Sequence, residues 1–307
     1  MIYEFKHKNI TWIDLENPTQ EEIKEISDRF NVDPMVAGEL LTPTLRSRVD
    51  YYKDYIYLIL LFPISSSSTL NNHTEKTQEI DFIVGKKFII TTRYNTVDAL
   101  LEFSKVFEVN SILNKGNISE HAGYVFYYMI QFLYKSLLNR LANVKDLLAD
   151  IENQIFAGDE KRMVQEISKL DRFLLNYSDC TSLHKGVLES FATVGEKFFS
   201  GNFDFYLHSI VGEYLKVKNE LNSTKEYLKE LRETNNSLLT TKQNEIMKIL
   251  TVTNFIFLPL ALIAGIFGMN SKSTPIINMP HDFYIILGIM GGLMVAMFTY
   301  FKWKKWL

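Results

Sequence analysis

The chain has 307 residues, 33 basic and 36 acidic, and 47% of it is apolar, which supports a sizeable core and excludes a disordered chain. A formal charge of -3 gives no support to nucleic-acid binding, and the single cysteine, Cys180, excludes an internal disulfide framework or a cysteine-based zinc site.

In chain order, the first ten residues carry Glu4, Lys6 and Lys8 and lack the apolar stretch of a secretory signal. Residues 12–15 read as a short strand. Thr19, followed by Glu21 and Glu22, reads as the N-cap of a helix whose Ile23, Ile26 and Phe30 form one buried face. Residues 55–62 read as a strong strand and residues 65–72, with four consecutive serines, as a polar connection. Strands over 80–84 and 87–91 flank a hairpin turn at Gly85-Lys86. From 97 to 248 there is no proline, and the runs 124–151 and 205–239 carry helical periodicity, the second continuing unbroken toward the C-terminus. Taken alone, such a segment also suits a coiled-coil scaffold.

Residues 249–301 hold only two charged residues, Lys272 and Asp282. The uncharged runs 249–270 and 283–301 are each close to the roughly 20 residues that cross about 30 Å of hydrocarbon. A pair of buried helices in a soluble core is the alternative. Two such runs separated by a twelve-residue connection fit a membrane hairpin better. Lys242 and Lys248 precede the first run, and the basic tail of Lys302, Lys304 and Lys305 follows the second, so positive-inside bias puts both chain ends in the cytoplasm. Trp303 and Trp306 suit the headgroup zone. The expected organisation is an α+β cytoplasmic domain over 1–96, a helical stalk over 97–243 and a transmembrane domain over 244–307.

The first span carries a stripe. Asn244, Met247, Thr251, Asn254, Leu258, Ala261, Gly265 and Gly268 alternate at spacings of three and four, one line on a helix with a 3.5-residue repeat. Most of them are polar or small, while the rest of the span is largely Ile, Leu, Val and Phe. Small residues at this spacing fit close helix packing. Two amides in one span fit a pore position, since they are costly beside lipid. With no acidic or basic residue over 249–270, a proton relay through this span is not expected. Pro259, Gly265 and Gly268 allow a bend and free carbonyl oxygens near the outer end.

Gly268-Met269-Asn270 lies at the outer end of that span, preceded by Pro259 and by the run Ile263-Ala264-Gly265-Ile266-Phe267. With residues 244–248, the basic Trp-Leu tail, and the N-terminal residues 12–15, Pro18-Thr19, Arg46, 55–63 and 79–82, this makes the whole chain resemble the CorA family of divalent-cation transporters.

The resemblance implies a homopentameric funnel in a prokaryotic cytoplasmic membrane, with five first spans lining one pore. It implies an outer selectivity ring of Gly268, Met269 and Asn270, with Mg²⁺ as the leading substrate and Co²⁺ or Ni²⁺ as further ones. Cytoplasmic divalent ions bound to carboxylates would hold the pore closed, and Asp98 or Glu102 facing Asp204, with His208 as a further ligand, are the candidates by position. The chain departs from the family pattern in the outer loop. A Met-Pro-Glu sequence is replaced by Thr274-Pro275-Ile276, while Met279-Pro280 is followed by His281, leaving Asp282 as the loop's only acid. Leu258 and Ala261 also stand where Met and Thr are expected. A zinc transporter of the same family and a membrane-anchored sensor or scaffold are the alternatives. An enzyme is not expected, because no phosphate loop, nucleophile-base arrangement or paired zinc ligands occur.

Overall fold

The structure, a computed structural model, describes residues 1–63, 77–108, 121–199, 203–269, 276, 281–304 and 306. The serine-rich connection expected at 65–72 lies outside the described residues. The chain divides into two compact units, Met1–Arg232 and Glu233–Leu307.

The first unit begins with β1 (Ile2–His7), β2 (Ile10–Glu16), α1 (Gln20–Phe30), α2 (Pro34–Glu39), β3 (Arg48–Tyr51), β4 (Tyr55–Pro63), β5 (Thr77–Gly85) and β6 (Phe88–Arg93). The strands form one sheet in the order β1-β2-β6-β5-β4-β3, antiparallel except for the β2–β6 pair. Chemistry at the α1 start matches its sequence. The Glu22 N–H donates to Thr19 Oγ1 at 3.3 Å, and the Thr19 N–H donates to Glu22 Oε2 at 2.8 Å, a reciprocal capping box. Ile23 and Ile26 of α1 and Val36 of α2 are buried against Ile13, Tyr57, Ile59, Ile83 and Ile90 of the sheet. Phe30 is only partly buried and packs at the margin of that cluster. The two-residue turn between β5 and β6 is Lys86-Lys87, one residue on from the expected Gly85-Lys86, and a Cβ at Gly85 would come within 2.4 Å of the Phe88 ring, so a larger residue there would have to displace that ring.

The opposite face of the sheet carries a buried polar chain. Trp12 Nε1–H donates to Thr91 Oγ1 at 3.0 Å, and the Thr91 hydroxyl donates to Asp14 Oδ1 at 2.7 Å. Arg93, fully buried, donates from Nε to Asp14 Oδ2 at 3.0 Å and pairs through Nη1 with Glu16 at 2.8 Å. The Trp12 ring packs on Phe5, on Phe103 and on Phe107, the last two on α3 (Asp98–Glu108).

Long helices follow: α4 (Gly123–Phe156), α5 (Glu160–Thr181), α6 (His184–Phe198) and α7 (Asp204–Phe267). Within the first unit they share one logic. Ile130, Tyr134, Leu137, Leu141, Val144, Leu148, Ile151 and Ile155 are buried along α4 at alternating spacings of four and three. Leu207, Ile210, Tyr214, Val217, Leu221, Thr224, Leu228 and Leu231 repeat the pattern on α7. Met163, Ile167, Leu170, Leu174, Tyr177 and Thr181 do so on α5. A 3.5-residue apolar repeat on three neighbouring helices gives coiled-coil packing. Tyr177 donates to the Leu137 carbonyl at 2.7 Å, while Lys145–Glu220 at 2.7 Å and Arg232–Asp171 at 2.8 Å tie α7 to α4 and α5.

His184 joins this bundle to the sheet. Its ring is completely buried, with Nε2 2.7 Å from the Leu61 carbonyl oxygen and Nδ1 2.8 Å from the Tyr134 hydroxyl. A neutral ring that donates from Nε2 and accepts at Nδ1 satisfies both contacts. Burial lowers its pKa to about 4. His121, stacked on Tyr124 and Phe199, is lowered to about 4 for the same reason. Between the unfolded value of 6.5 and the folded value of about 4, the unfolded chain binds more protons, so stability falls as pH falls through this window. The His184 contribution alone is about 3 kcal/mol. Melting temperature against pH checks this: the wild-type protein declines on the acid side, and His184→Gln, which cannot titrate, declines less.

In the second unit, α7 continues through the first candidate span and α8 (Asp282–Trp303) forms the second. Both are long and apolar enough to cross a membrane. Phe301 is the one buried residue on α8, while Phe283, Ile285, Leu287, Val295 and Phe298 are exposed. A helix this apolar and this unburied is not the core helix of a soluble domain, so the soluble-core alternative falls.

Candidate functional site

Unit two gives the first span two unlike faces. Val252, Ile256 and Leu260 are buried together with Phe301, and Met290, Leu293 and Met297 of α8 pack against them. The residues of the polar and small stripe, Asn244, Met247, Thr251, Asn254, Leu258, Ala261 and Gly265, are all exposed. At about 100° per residue, the centres of the two faces lie roughly 180° apart on the helix. The stripe therefore faces directly away from α8.

Local chemistry suits this arrangement. The Thr251 hydroxyl donates to the Met247 carbonyl at 2.7 Å, and the Thr253 hydroxyl to the Ile249 carbonyl at 2.8 Å, so both donors are satisfied within the helix. Pro259 lies inside α7 and removes one backbone donor. Gly265 has nothing within 4 Å of where a Cβ would stand. Its small size serves no contact among the described residues.

The helix ends at Phe267. The Gly268 N–H donates to the Ala264 carbonyl at 2.9 Å and the Met269 N–H to Ile266 at 3.3 Å. A Cβ at Gly268 would sit 2.9 Å from the Ala264 carbonyl oxygen, closer than real contacts allow. Glycine is thus a steric requirement of this helix exit, independent of any ion. Met269 is exposed, whereas Asn270 lies outside the described residues, as do Thr274, Pro275, Met279 and Pro280 of the loop.

The four regulatory candidates are all exposed. Asp98 begins α3 and Glu102 follows one turn later, while Asp204 begins α7 and His208 follows one turn later. His208 Nε2 lies 3.5 Å from Glu196 Oε1. Among the described residues, no group of three or more His, Cys, Asp or Glu side chains is arranged to hold a metal within one chain. Reading the sequence also missed the Val252–Ile256–Leu260 seam, although its four-residue spacing was available as a signal.

The sequence model described as the CorA-like Mg²⁺ transporter protein matches residues 7–304. The chain belongs to this CorA-like family. It is 25% identical over 300 residues to the cobalt/magnesium transport protein CorA of Thermotoga maritima, covering 97% of this chain and 83% of that one. It is 25% identical over 331 residues to the magnesium transport protein CorA of Wolinella succinogenes, covering 97% of this chain and 92% of that one. The complete structure of the CorA magnesium transporter from Methanocaldococcus jannaschii superimposes with a TM-score of 0.83 at 20% identity, covering 99% of this chain and 93% of that one. This CorA-like chain therefore shares the fold of a full-length family member, from the α+β region through both C-terminal helices.

Proposed function

We propose that this CorA-like protein carries Mg²⁺, with Co²⁺ as a further substrate, across a prokaryotic cytoplasmic membrane through a pore built from the first spans of five copies. The observation that carries the reading is the exposed stripe on α7, set opposite the seam with α8. Copies packed with α8 outermost would turn Asn244, Thr251, Asn254 and Gly265 toward a shared axis. Amide and carbonyl oxygens suit Mg²⁺ because this ion gives up its waters reluctantly, so a neutral ring binds the hydrated ion without trapping it. Gly268, Met269 and Asn270 form the outer ring in this reading. An inside-negative potential favours entry by about 4.6 kcal/mol for a divalent ion at 100 mV.

In the same reading, Asp98 and Glu102 of one copy and Asp204 and His208 of its neighbour share a divalent ion that holds the pore closed. Support comes from the exposure of all four, which leaves their side chains open to a neighbouring copy. The carboxylate oxygens of Asp98, Glu102 and Asp204 fit Mg²⁺.

Uptake into proteoliposomes under an inside-negative potential tests both statements. Mg²⁺ and Co²⁺ enter, and raising Mg²⁺ on the cytoplasmic side closes the pathway. An Asp98→Asn, Asp204→Asn double variant shifts that closure to at least tenfold higher Mg²⁺. Zn²⁺ flux driven by a pH gradient without Mg²⁺ flux would select the zinc reading, and no flux of any divalent ion would leave a scaffold.

A further inference from the structure

One buried acidic pair in the first unit plays no part in the pore. Glu79 and Asp81 alternate on β5, so their side chains share one face of the sheet, and each is 1% exposed. The Glu79 carboxylate is well supplied with donors. It accepts from the Thr44 N–H at 2.9 Å and from the Leu45 N–H, and the Thr44 hydroxyl lies 3.3 Å from Oε2. It thereby pins the segment between α2 and β3 at Leu45, which adopts a left-handed φ of 54° that a non-glycine residue rarely takes.

Asp81 is supplied differently. Its Oδ2 accepts from the Tyr94 hydroxyl at 3.1 Å, whereas Oδ1 is buried with no donor to meet it among the described residues. Two residues apart on one strand, the Asp81 and Glu79 side chains are buried next to each other on that face. Two ionised carboxylates buried side by side repel, whereas a carboxylic acid beside a carboxylate does not and can donate its hydrogen to it. Other charges nearby do not neutralise Asp81. On α2, Glu39 pairs with Arg48 of β3, and Arg48 also reaches Asp50 at 2.8 Å. Tyr57 of β4 and Tyr94 after β6 are neutral, their hydroxyls held protonated chiefly by burial.

We propose that Asp81 and Glu79 form a buried proton-binding site, in which Asp81 carries the proton on Oδ1 and donates it to Glu79, leaving one negative charge to hold the Thr44 and Leu45 amides. Burial, and then the neighbouring Glu79 charge, move the Asp81 carboxyl well above the ordinary carboxylate range, in agreement with this assignment.

Such an acid binds its proton more tightly in the folded chain than in the unfolded one. Stability from the folded proton is full at acid pH and declines as pH rises toward the folded value. An Asp81→Asn side chain reproduces the neutral, donating group and cannot titrate. Two measurements on the full-length protein decide the matter. Infrared spectra of the wild type at pH 7 contain the carbonyl band of a protonated carboxylic acid, and Asp81→Asn removes it. The variant also melts above wild type at pH 7, with the gap closing as pH is lowered toward 4. Absence of the band from wild-type spectra overturns the proposal even if the variant does not fold. Persistence of the band in a folded variant, or a variant melting below wild type at pH 7, also overturns it.

Discussion

Replacing Asn270 by Ala is expected to reduce Mg²⁺ flux into proteoliposomes by roughly a thousandfold or more. The size follows from repetition. If the outer ring holds one amide from each of five copies, the substitution enters five times, and each lost hydrogen bond to the hydrated ion is worth about 1 kcal/mol. About 5 kcal/mol in all corresponds to between three and four decades in rate. A paired measurement separates loss of the pore from loss of the fold. Ile256→Val alters the seam with α8, on the face opposite the stripe. It is expected to lower stability by about 1 kcal/mol while leaving flux within a factor of two. Flux by Asn270→Ala at the wild-type rate would remove the amide ring from the mechanism.

The second large effect concerns the fold. Asp14→Asn is expected to lower stability by about 3 kcal/mol, because it strips the fully buried Arg93 guanidinium of one of its two carboxylate partners. Glu16 still pairs with it at 2.8 Å, which keeps the loss at the lower end for a broken buried pair. A chain of this length melts on the order of 10 °C lower for such a loss. Removing both charges together, in Asp14→Leu with Arg93→Met, is expected to recover most of that difference, since the cost lies in the stranded charge. Thermal unfolding of the three proteins checks this, and a single variant melting within 2 °C of wild type would contradict it.

Much of the architecture was readable from local chemistry. Thr19 and Glu22 form the expected cap, β5 and β6 form the expected hairpin, and the expected unbroken passage from a cytoplasmic helix into the first span is the single helix Asp204–Phe267. Each rests on interactions between residues close in sequence, or on a run of side chains long enough to set its own solvent. Elements at the sheet margins were less visible. β1 and β3 are short edge strands with half-exposed side chains, so neither shows a clear two-residue alternation. Arg93 and Asp81 were invisible for another reason. A charged residue in a strand reads as a solvent-facing position, and only the layers packed on both faces of the sheet bury it.

The candidate site was half legible. The spacing of Asn244, Thr251, Asn254 and Gly265 placed them on one line of a helix, since a helix's period is a property of its backbone alone. Which way that line faces depends on what covers the other side, and this was decided by the packing of Val252, Ile256 and Leu260 against α8. The distribution of charge along the chain sufficed to determine two apolar spans, because transfer into a bilayer depends on composition and length, and the family resemblance was carried by Gly268-Met269-Asn270 with the residues around it and by the N-terminal segments. The direction of the stripe, the burial of Arg93 beside Asp14, and the burial of both Asp81 and Glu79 were decided by the tertiary structure, because each depends on an environment made by other parts of the chain.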